Sequence, residues 1–282
     1  MILIADSGST KTHWKLLQKN DTPRNFYTKG LNPYFADEDI FLKVLNEDLE
    51  LEKSKIKELH FYGSGCGSDN KVSFVKKNLA PFFPSAKIHV YSDLFGAARA
   101  LLGNNNGIAC ILGTGSVSCV YDGTKIIQTT PSLGFIVGDE GGGASLGKEL
   151  LKAFFYHKLP ENLHKAFEGN YNITREDVLD RIYHKPSPNA YLASFSKFIR
   201  AYSHEPFIHE LVSRCFKDFF TNHVIVYPEY KSLPLAFTGS VSSNLKEILE
   251  EVAMEFGLTV HKIMKEPMDG LTEFHEVQRN LG

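Results

Sequence analysis

The chain has 282 residues, 43% of them hydrophobic, enough to bury sizeable cores and to build two domains. A net charge of −2 leaves no general basic surface for nucleic acid, and no apolar run approaches the roughly 20 residues of a membrane span. Four cysteines, Cys66, Cys110, Cys119 and Cys215, show no Cys-x-x-Cys pairing, and Asp6 interrupts the first strand too early for a signal peptide, so a cytoplasmic protein with reduced packing thiols is expected. The glycosylation sequons at Asn20 and Asn172 are then chance matches.

In chain order, an apolar run from Met1 ends on Asp6 and opens into Ser7-Gly8-Ser9-Thr10-Lys11-Thr12, followed by a second apolar run from Trp14 to Leu17. This reads as a buried strand, a tight Gly turn and a returning strand. Such a turn aims backbone N–H groups and hydroxyls at one point with a carboxylate at its mouth, a geometry for polyphosphate and its metal ion. An ordinary hairpin turn with a capping Asp is the alternative. A further strand is expected near Asn25 to Tyr27, then a turn over Gly30-Leu31-Asn32-Pro33-Tyr34. Asp37-Glu38-Asp39 place acids at a helix start, with Ile40, Phe41, Val44, Leu45 and Leu49 on one helical face. Strands at Glu58 to Tyr62 and Lys87 to Tyr91 flank a helix over Asn70 to Phe82. Asp93 begins the next helix and so lies at the C-terminal end of a strand, where open α/β sheets place ligands; a helix cap is the structural alternative.

The second half repeats the opening. Gly107 to Leu112 runs into Gly113-Thr114-Gly115-Ser116, and Val117 to Tyr121 with Lys125 to Thr129 completes a meander. Gly134 to Gly143 is too Gly-rich for a core element, and its two carboxylates, Asp139 and Glu140, mark either a ligand loop or a solvated acidic turn. Gly142 to Lys148 spells G-x-x-x-x-G-K, but Glu149 stands where a phosphate-loop motif needs Ser or Thr, so none is assigned. Residues 144–227 read as nearly all helix, over Ala144 to Leu159, Thr174 to His184, Asn189 to Ser203 and Glu205 to Val226. Phe154, Phe155, Phe195, Phe198, Phe216, Phe219 and Phe220 mark a core or a homodimer face. His204 and His209 are off the spacing of a helical zinc site. A third strand from Leu233 ends in Thr238-Gly239-Ser240, and a helix over Asn244 to Phe256, a strand over Leu258 to Ile263 and a final helix follow.

The paired strand–turn units resemble the two phosphate loops of the actin, sugar kinase and heat-shock chaperone superfamily. The finer resemblance covers essentially the full chain. It is to the N-acetylglucosamine kinase branch, grouped with the ATPases (BadF/BadG/BcrA/BcrD) that activate benzoyl-CoA reductase and hydroxyacyl-CoA dehydratases. Asp6 to Thr12, Gly30 to Tyr34, Asp93, Gly113 to Ser116, Gly138-Asp139-Glu140-Gly141 and Gly239-Ser240 carry it.

The resemblance implies an α/β fold of two actin-like (ribonuclease H-like) domains with a nucleotide cleft between them. Residues 1–106, completed by a C-terminal helix over about 268–282, would form one. Residues 107–267, with a helical insertion over about 144–227, would form the other, the two closing on ligand. It implies ATP and Mg²⁺ as cofactors, with Asp6 at the metal and Gly8, Ser9, Thr10, Lys11, Thr12, Gly113, Thr114, Gly239 and Ser240 at the nucleotide. Asn32, Gly115, Ser116, Phe135 and Asp139 would take the sugar, and Asp93 would be the general base. Phe135 stands where characterised animal kinases have Trp, which leaves the sugar preference open. The function expected is ATP-dependent phosphorylation of a small amino sugar, N-acetylglucosamine first, with no nucleic-acid or membrane partner. An activator ATPase, for which Cys66 lacks a nearby companion to hold an iron–sulfur cluster, and a non-catalytic sugar sensor are the alternatives.

Overall fold

A computed structural model describes residues 1–19 and 21–281, so Asn20 with its sequon and Gly282, the expected end of the last helix, lie outside the described residues. The chain divides into two units, one of Met1–Asn104 with the segment from Glu266 onward, the other of Asn105–Lys265.

In the first unit β1 (Ile2–Ser7), β2 (Lys11–Leu17) and β3 (Arg24–Lys29) form an antiparallel meander. β4 (Glu58–Gly63) lies parallel to β1 and β5 (Lys87–Ser92) parallel to β4, giving the order β3-β2-β1-β4-β5. The central strands are covered on both faces, which is why β1 reads as an apolar run and not as an alternation. One face packs on α1 (Glu38–Lys43) and α2 (Asp69–Leu79) through Trp14, Phe41, Phe61, Val75, Leu79 and Phe83. Asp37 starts α1 by accepting a hydrogen bond from the Ile40 amide at 2.9 Å. On β4, His60 and Tyr62 alternate with Leu59 and Phe61 and face α3 (Asp93–Leu102) and the C-terminal helix (Met268–Leu281). α3 can lie close because Gly96, Ala97 and Ala98 are buried and small, and a Cβ at Gly270 would overlap the Ala100 carbonyl.

The second unit repeats the topology. β6 (Asn106–Leu112), β7 (Ser116–Asp122) and β8 (Ile126–Thr129) form the meander, and β9 (Leu235–Thr238) and β10 (Val260–Met264) add in parallel, in the order β10-β9-β6-β7-β8. Between β8 and β9 stand α4 (Gly134–Val137), α5 (Gly143–Phe155), α6 (Glu161–Tyr171), α7 (Arg175–Tyr183), α8 (Pro188–Ser194), α9 (Ser196–Ala201) and α10 (Pro206–Phe219). α10 ends in a π-helical turn, Phe220–Val224. α11 (Ser240–Asn244) and α12 (Lys246–Glu255) link β9 to β10.

The expected α/β architecture holds, and the phenylalanine stripe is core. Phe154, Phe195, Phe198, Phe216, Phe219 and Phe220 pack with Ile108, Leu112 and Phe237 of the sheet. α6 was not anticipated from the sequence, because it buries only Leu163 and Phe167 and carries Gly169 and Asn170, weak helix formers, in its last turn. The span from Asn189 to Ser203 breaks at Phe195 into α8 and α9. α7 has a complete capping box, since Asp177 is long enough to accept from the Thr174 amide at 2.9 Å while Thr174 Oγ1 accepts from the Asp177 amide at 3.1 Å. Among the described residues no helix is long and apolar enough to cross a membrane.

Candidate active site

The first Gly turn closes through the Gly8 amide, which donates to the Lys11 carbonyl at 3.0 Å and leaves Ser9 and Thr10 exposed at the tip. Behind the tip the hydroxyls brace the loop. Thr12 Oγ1 donates to the Lys29 carbonyl at 3.1 Å, so Ser7, 2.7 Å away, donates to Thr12 and in turn accepts from the Leu31 amide at 3.0 Å. Thr12 is fully buried, and its hydroxyl is engaged within the protein. The turn over residues 30–34 buttresses the same tip. A Cβ at Gly30 would fall on the backbone of Gly8 and Ser9, and the Asn32 side chain donates to Ser9 Oγ at 2.9 Å while accepting from the Tyr34 amide at 3.0 Å.

Asp6 is the last but one residue of β1, and Asp93 follows β5 as the first residue of α3. Burial, with the charges of Asp93 and Glu266 added, pushes the Asp6 carboxyl up to about 7, although Lys11 works against the rise. Lys11 is itself tied to Glu266 at 2.8 Å, a partner 255 positions away that sequence reading did not single out. Asp93 is not the helix cap, because Ser92 takes that position and accepts from the Phe95 amide at 3.2 Å. Burial raises the Asp93 carboxyl, opposed by hydrogen bonds from the Leu94 amide, at 2.9 Å, and the Ser64 hydroxyl. A carboxylate facing other carboxylates is a place a divalent cation would relieve. Among the described residues no group of three or more His, Cys, Asp or Glu side chains could hold a metal. Mg²⁺ commonly takes only one or two protein carboxylates beside phosphate oxygens and water, so Asp6 fits it.

In the second unit the Gly113 amide donates to the Gly115 carbonyl at 3.0 Å, closing the second loop. The first amides of α5 hold this loop from behind, Gly143 donating to Gly113 at 2.8 Å and Ala144 to Thr114 at 2.9 Å. The glycines of the 138–143 stretch are therefore close-contact positions. A Cβ on Gly142 would stand 2.7 Å from the Gly115 carbonyl carbon, and one on Gly115 would stand 2.7 Å from the Asp139 carboxyl. Asp139 sits at φ 58° in the left-handed region and accepts from the Ser116 amide at 3.2 Å. Burial raises its carboxyl, and the Ser116 bond opposes the rise. Ser116 is buried with no partner for its hydroxyl among the described residues. Phe135, half-buried on α4, places its carbonyl 3.5 Å from Lys148 Nζ. Gly239, at φ 125°, approaches the Leu112 carbonyl so closely that any side chain would overlap it, and Ser240 opens α11 beside it. Gly142 to Lys148 spans the start of α5, with no strand before it, as the absence of a Walker assignment requires.

The fold and the two Gly turns define a member of the actin, sugar kinase and heat-shock chaperone superfamily, built on two sheets of the same order. The chain is similar to a candidate N-acetylglucosamine kinase from Porphyromonas gingivalis, at 39% identity over 99% of this chain and 100% of that one, with a TM-score of 0.94. It belongs to that family. A candidate N-acetylglucosamine kinase from Chromobacterium violaceum shares the fold at 17% identity, with TM-score 0.73 over 97% of this chain and 98% of that one. A ROK family glucokinase from Streptomyces griseus, solved with glucose and AMPPNP, shares it at 12% identity and TM-score 0.54 over 99% of each chain. No protein-family model matches the chain, and no curated protein matches it.

Proposed function

We propose that the protein is an ATP-dependent kinase of an amino sugar, N-acetylglucosamine first, acting in the cytoplasm with Mg²⁺, and that within its superfamily it sits with the BadF/BadG/BcrA/BcrD group. The observation that carries the reading is the pair Asp6 and Asp93. The two carboxyls stand at the ends of parallel strands of one sheet, and burial raises both. Asp93 would accept the sugar hydroxyl proton, and a carboxyl raised above its ordinary range is a stronger base for that task. Asp6 would hold the hydrated Mg²⁺, which when bound neutralises phosphate charge and orients its oxygens. Gly8, Ser9, Thr10 and Lys11 of the first unit and Gly113, Thr114, Gly239 and Ser240 of the second would take the nucleotide, with Thr12 bracing the first loop. Asn32, Gly115, Ser116, Phe135 and Asp139 would take the sugar, and the Ser116 hydroxyl, without a partner among the described residues on a residue whose amide holds the Asp139 carboxyl, supports this. An activator ATPase of the dehydratase type would hold an iron–sulfur cluster through paired cysteines, and Cys66 has no cysteine near it in sequence, which favours the kinase. The test is ADP release across a panel of amino sugars, with and without Mg²⁺. Release that needs both sugar and Mg²⁺ is expected, whereas equal release without sugar would make the protein a hydrolase.

A further inference from the structure

Polar side chains with none of the roles above, Ser118, Thr130, His223 and Tyr227 among them buried, converge behind the Asp139–Glu140 turn. Glu140 Oε2 lies 3.1 Å from His223 Nε2, and Glu140 Oε1 accepts from Asn222 Nδ2 at 3.3 Å. His223 Nδ1 is 2.7 Å from Thr130 Oγ1, which is 3.2 Å from Ser118 Oγ. Ser118 Oγ donates to the His223 carbonyl at 2.6 Å and lies 2.7 Å from the Tyr227 hydroxyl. A carboxylate only accepts, so His223 Nε2 carries its proton toward Glu140. Ser118 uses its one proton on the carbonyl, so Tyr227 donates to Ser118.

His223 is 5% exposed and stacks on Phe219 with ring centres 5.0 Å apart. It sits on the π-helical turn Phe220–Val224, a rare element that recurs at functional sites. Asp139 is held in the left-handed region, which a non-glycine residue keeps only where its surroundings over-determine it. Two anchors do so. The Ser116 amide holds the Asp139 carboxyl, and His223 with Asn222 holds Glu140 one residue on. Ser116 and Ser118 are two apart on β7, so the circuit closes on the strand that leaves the second Gly loop.

We propose that His223 is a positioning residue for the sugar pocket. Through Glu140 it fixes the Asp139 turn and so holds the Asp139 carboxyl on the Ser116 amide. The substrate named here rests on the amino-sugar kinase reading, whereas the positioning rests on the geometry within the second unit.

The test measures hydrogen exchange at the Ser116 amide by NMR together with steady-state kinetics, in full-length wild type, His223→Ala, His223→Gln and Glu140→Ala. In His223→Ala the Ser116 amide should exchange about tenfold faster or more, as its acceptor loses its place. The amino-sugar KM should rise about 10- to 100-fold, the cost of a misplaced charged hydrogen bond, with the ATP KM and kcat changed less than about threefold. His223→Gln keeps an amide donor that reaches Glu140 and should restore both. Glu140→Ala cuts the same link from its half-exposed side and should copy His223→Ala, which keeps the test readable if His223→Ala does not fold. Unchanged Ser116 exchange in the alanine variants, or a sugar KM that His223→Gln leaves raised, overturns the proposal. If wild type turns over no amino sugar while Ser116 exchange responds as expected, the positioning stands and the kinase reading falls.

Discussion

Asp6 shows how a single carboxyl can cost stability in the ligand-free protein. Its folded carboxyl titrates at about 7, above the 3.8 of an unperturbed Asp. Between these values the unfolded chain has lost a proton that the folded chain keeps, so this contribution to stability falls as pH rises from 3.8 to 7 and stays low above. Asp6→Asn should therefore raise the melting temperature of the ligand-free protein at pH 8, by up to about 4 kcal/mol in free energy. At pH 3.5 it should leave the melting temperature unchanged, and it should abolish Mg²⁺-dependent turnover. Equal melting of the two proteins at pH 8 would mean that Asp6 pays no burial cost. Asp93 makes a separate prediction, because a general base contributes to the chemical step and not to nucleotide binding. Asp93→Asn should lower kcat roughly 10²–10⁴-fold with little change in the ATP KM. A mutant that lost ATP binding but kept its rate at saturation would point to Asp139 as the base.

At the scale of the elements, the layer between β4, β5, α3 and the C-terminal helix is built from ring stacking and few charges. His60 stacks on His89 with centroids 4.9 Å apart and lies 4.1 Å from His275, while Arg99 donates to the Tyr62 hydroxyl at 2.8 Å. The Tyr62 hydroxyl also shares a hydrogen bond with His275 Nε2 at 2.9 Å. Burial lowers His60 to about 4 and His275 to about 2, with neighbouring histidines and Arg99 adding to it. The unfolded chain then binds protons that the folded chain refuses below pH 6.5, so stability is lost as pH falls from 6.5 toward 4. This slope opposes that of Asp6 across the same window. In the Asp6→Asn background the acid loss should be steeper than in wild type, His60 and His275 each contributing on the order of 3 kcal/mol by pH 4. His60→Gln should flatten it in urea melts taken at pH 7, 5.5 and 4, and an unchanged slope would acquit the layer.

Across the whole molecule the two units repeat one strand order. The long insertion of the second, between β8 and β9, stands where the first has α1, between β3 and β4. The proposed chemistry draws on both units, so variants in either should damage the same reaction in different parameters. Asp139→Asn in the second unit should raise the amino-sugar KM about tenfold, the cost of one weakened polar contact, while leaving kcat near wild type. Asp93→Asn in the first should do the reverse. An Asp139→Asn enzyme with an unchanged sugar KM would remove Asp139 from the pocket.

Local pattern was enough to place what depends on neighbours in sequence. The apolar runs around Asp6 and before Gly113, the small-residue start of α3 and the helical phenylalanine spacing determined the sheets, the turns and the core. Each of these follows from strand burial, turn chemistry or helical periodicity over a few residues. Only the tertiary structure decided which hydroxyls brace and which are left without partners. Thr12 and Ser116 look alike in their Gly turns, yet Lys29 satisfies one hydroxyl from 17 positions away and the other hydroxyl has no partner among the described residues. It also decided the pairing of Lys11 with Glu266 and of Glu140 with His223, 255 and 83 positions apart. Sequence periodicity reports the face a residue shares with its near neighbours. Which distant side chain meets that face depends on how strands and helices pack, and no local signal carries it.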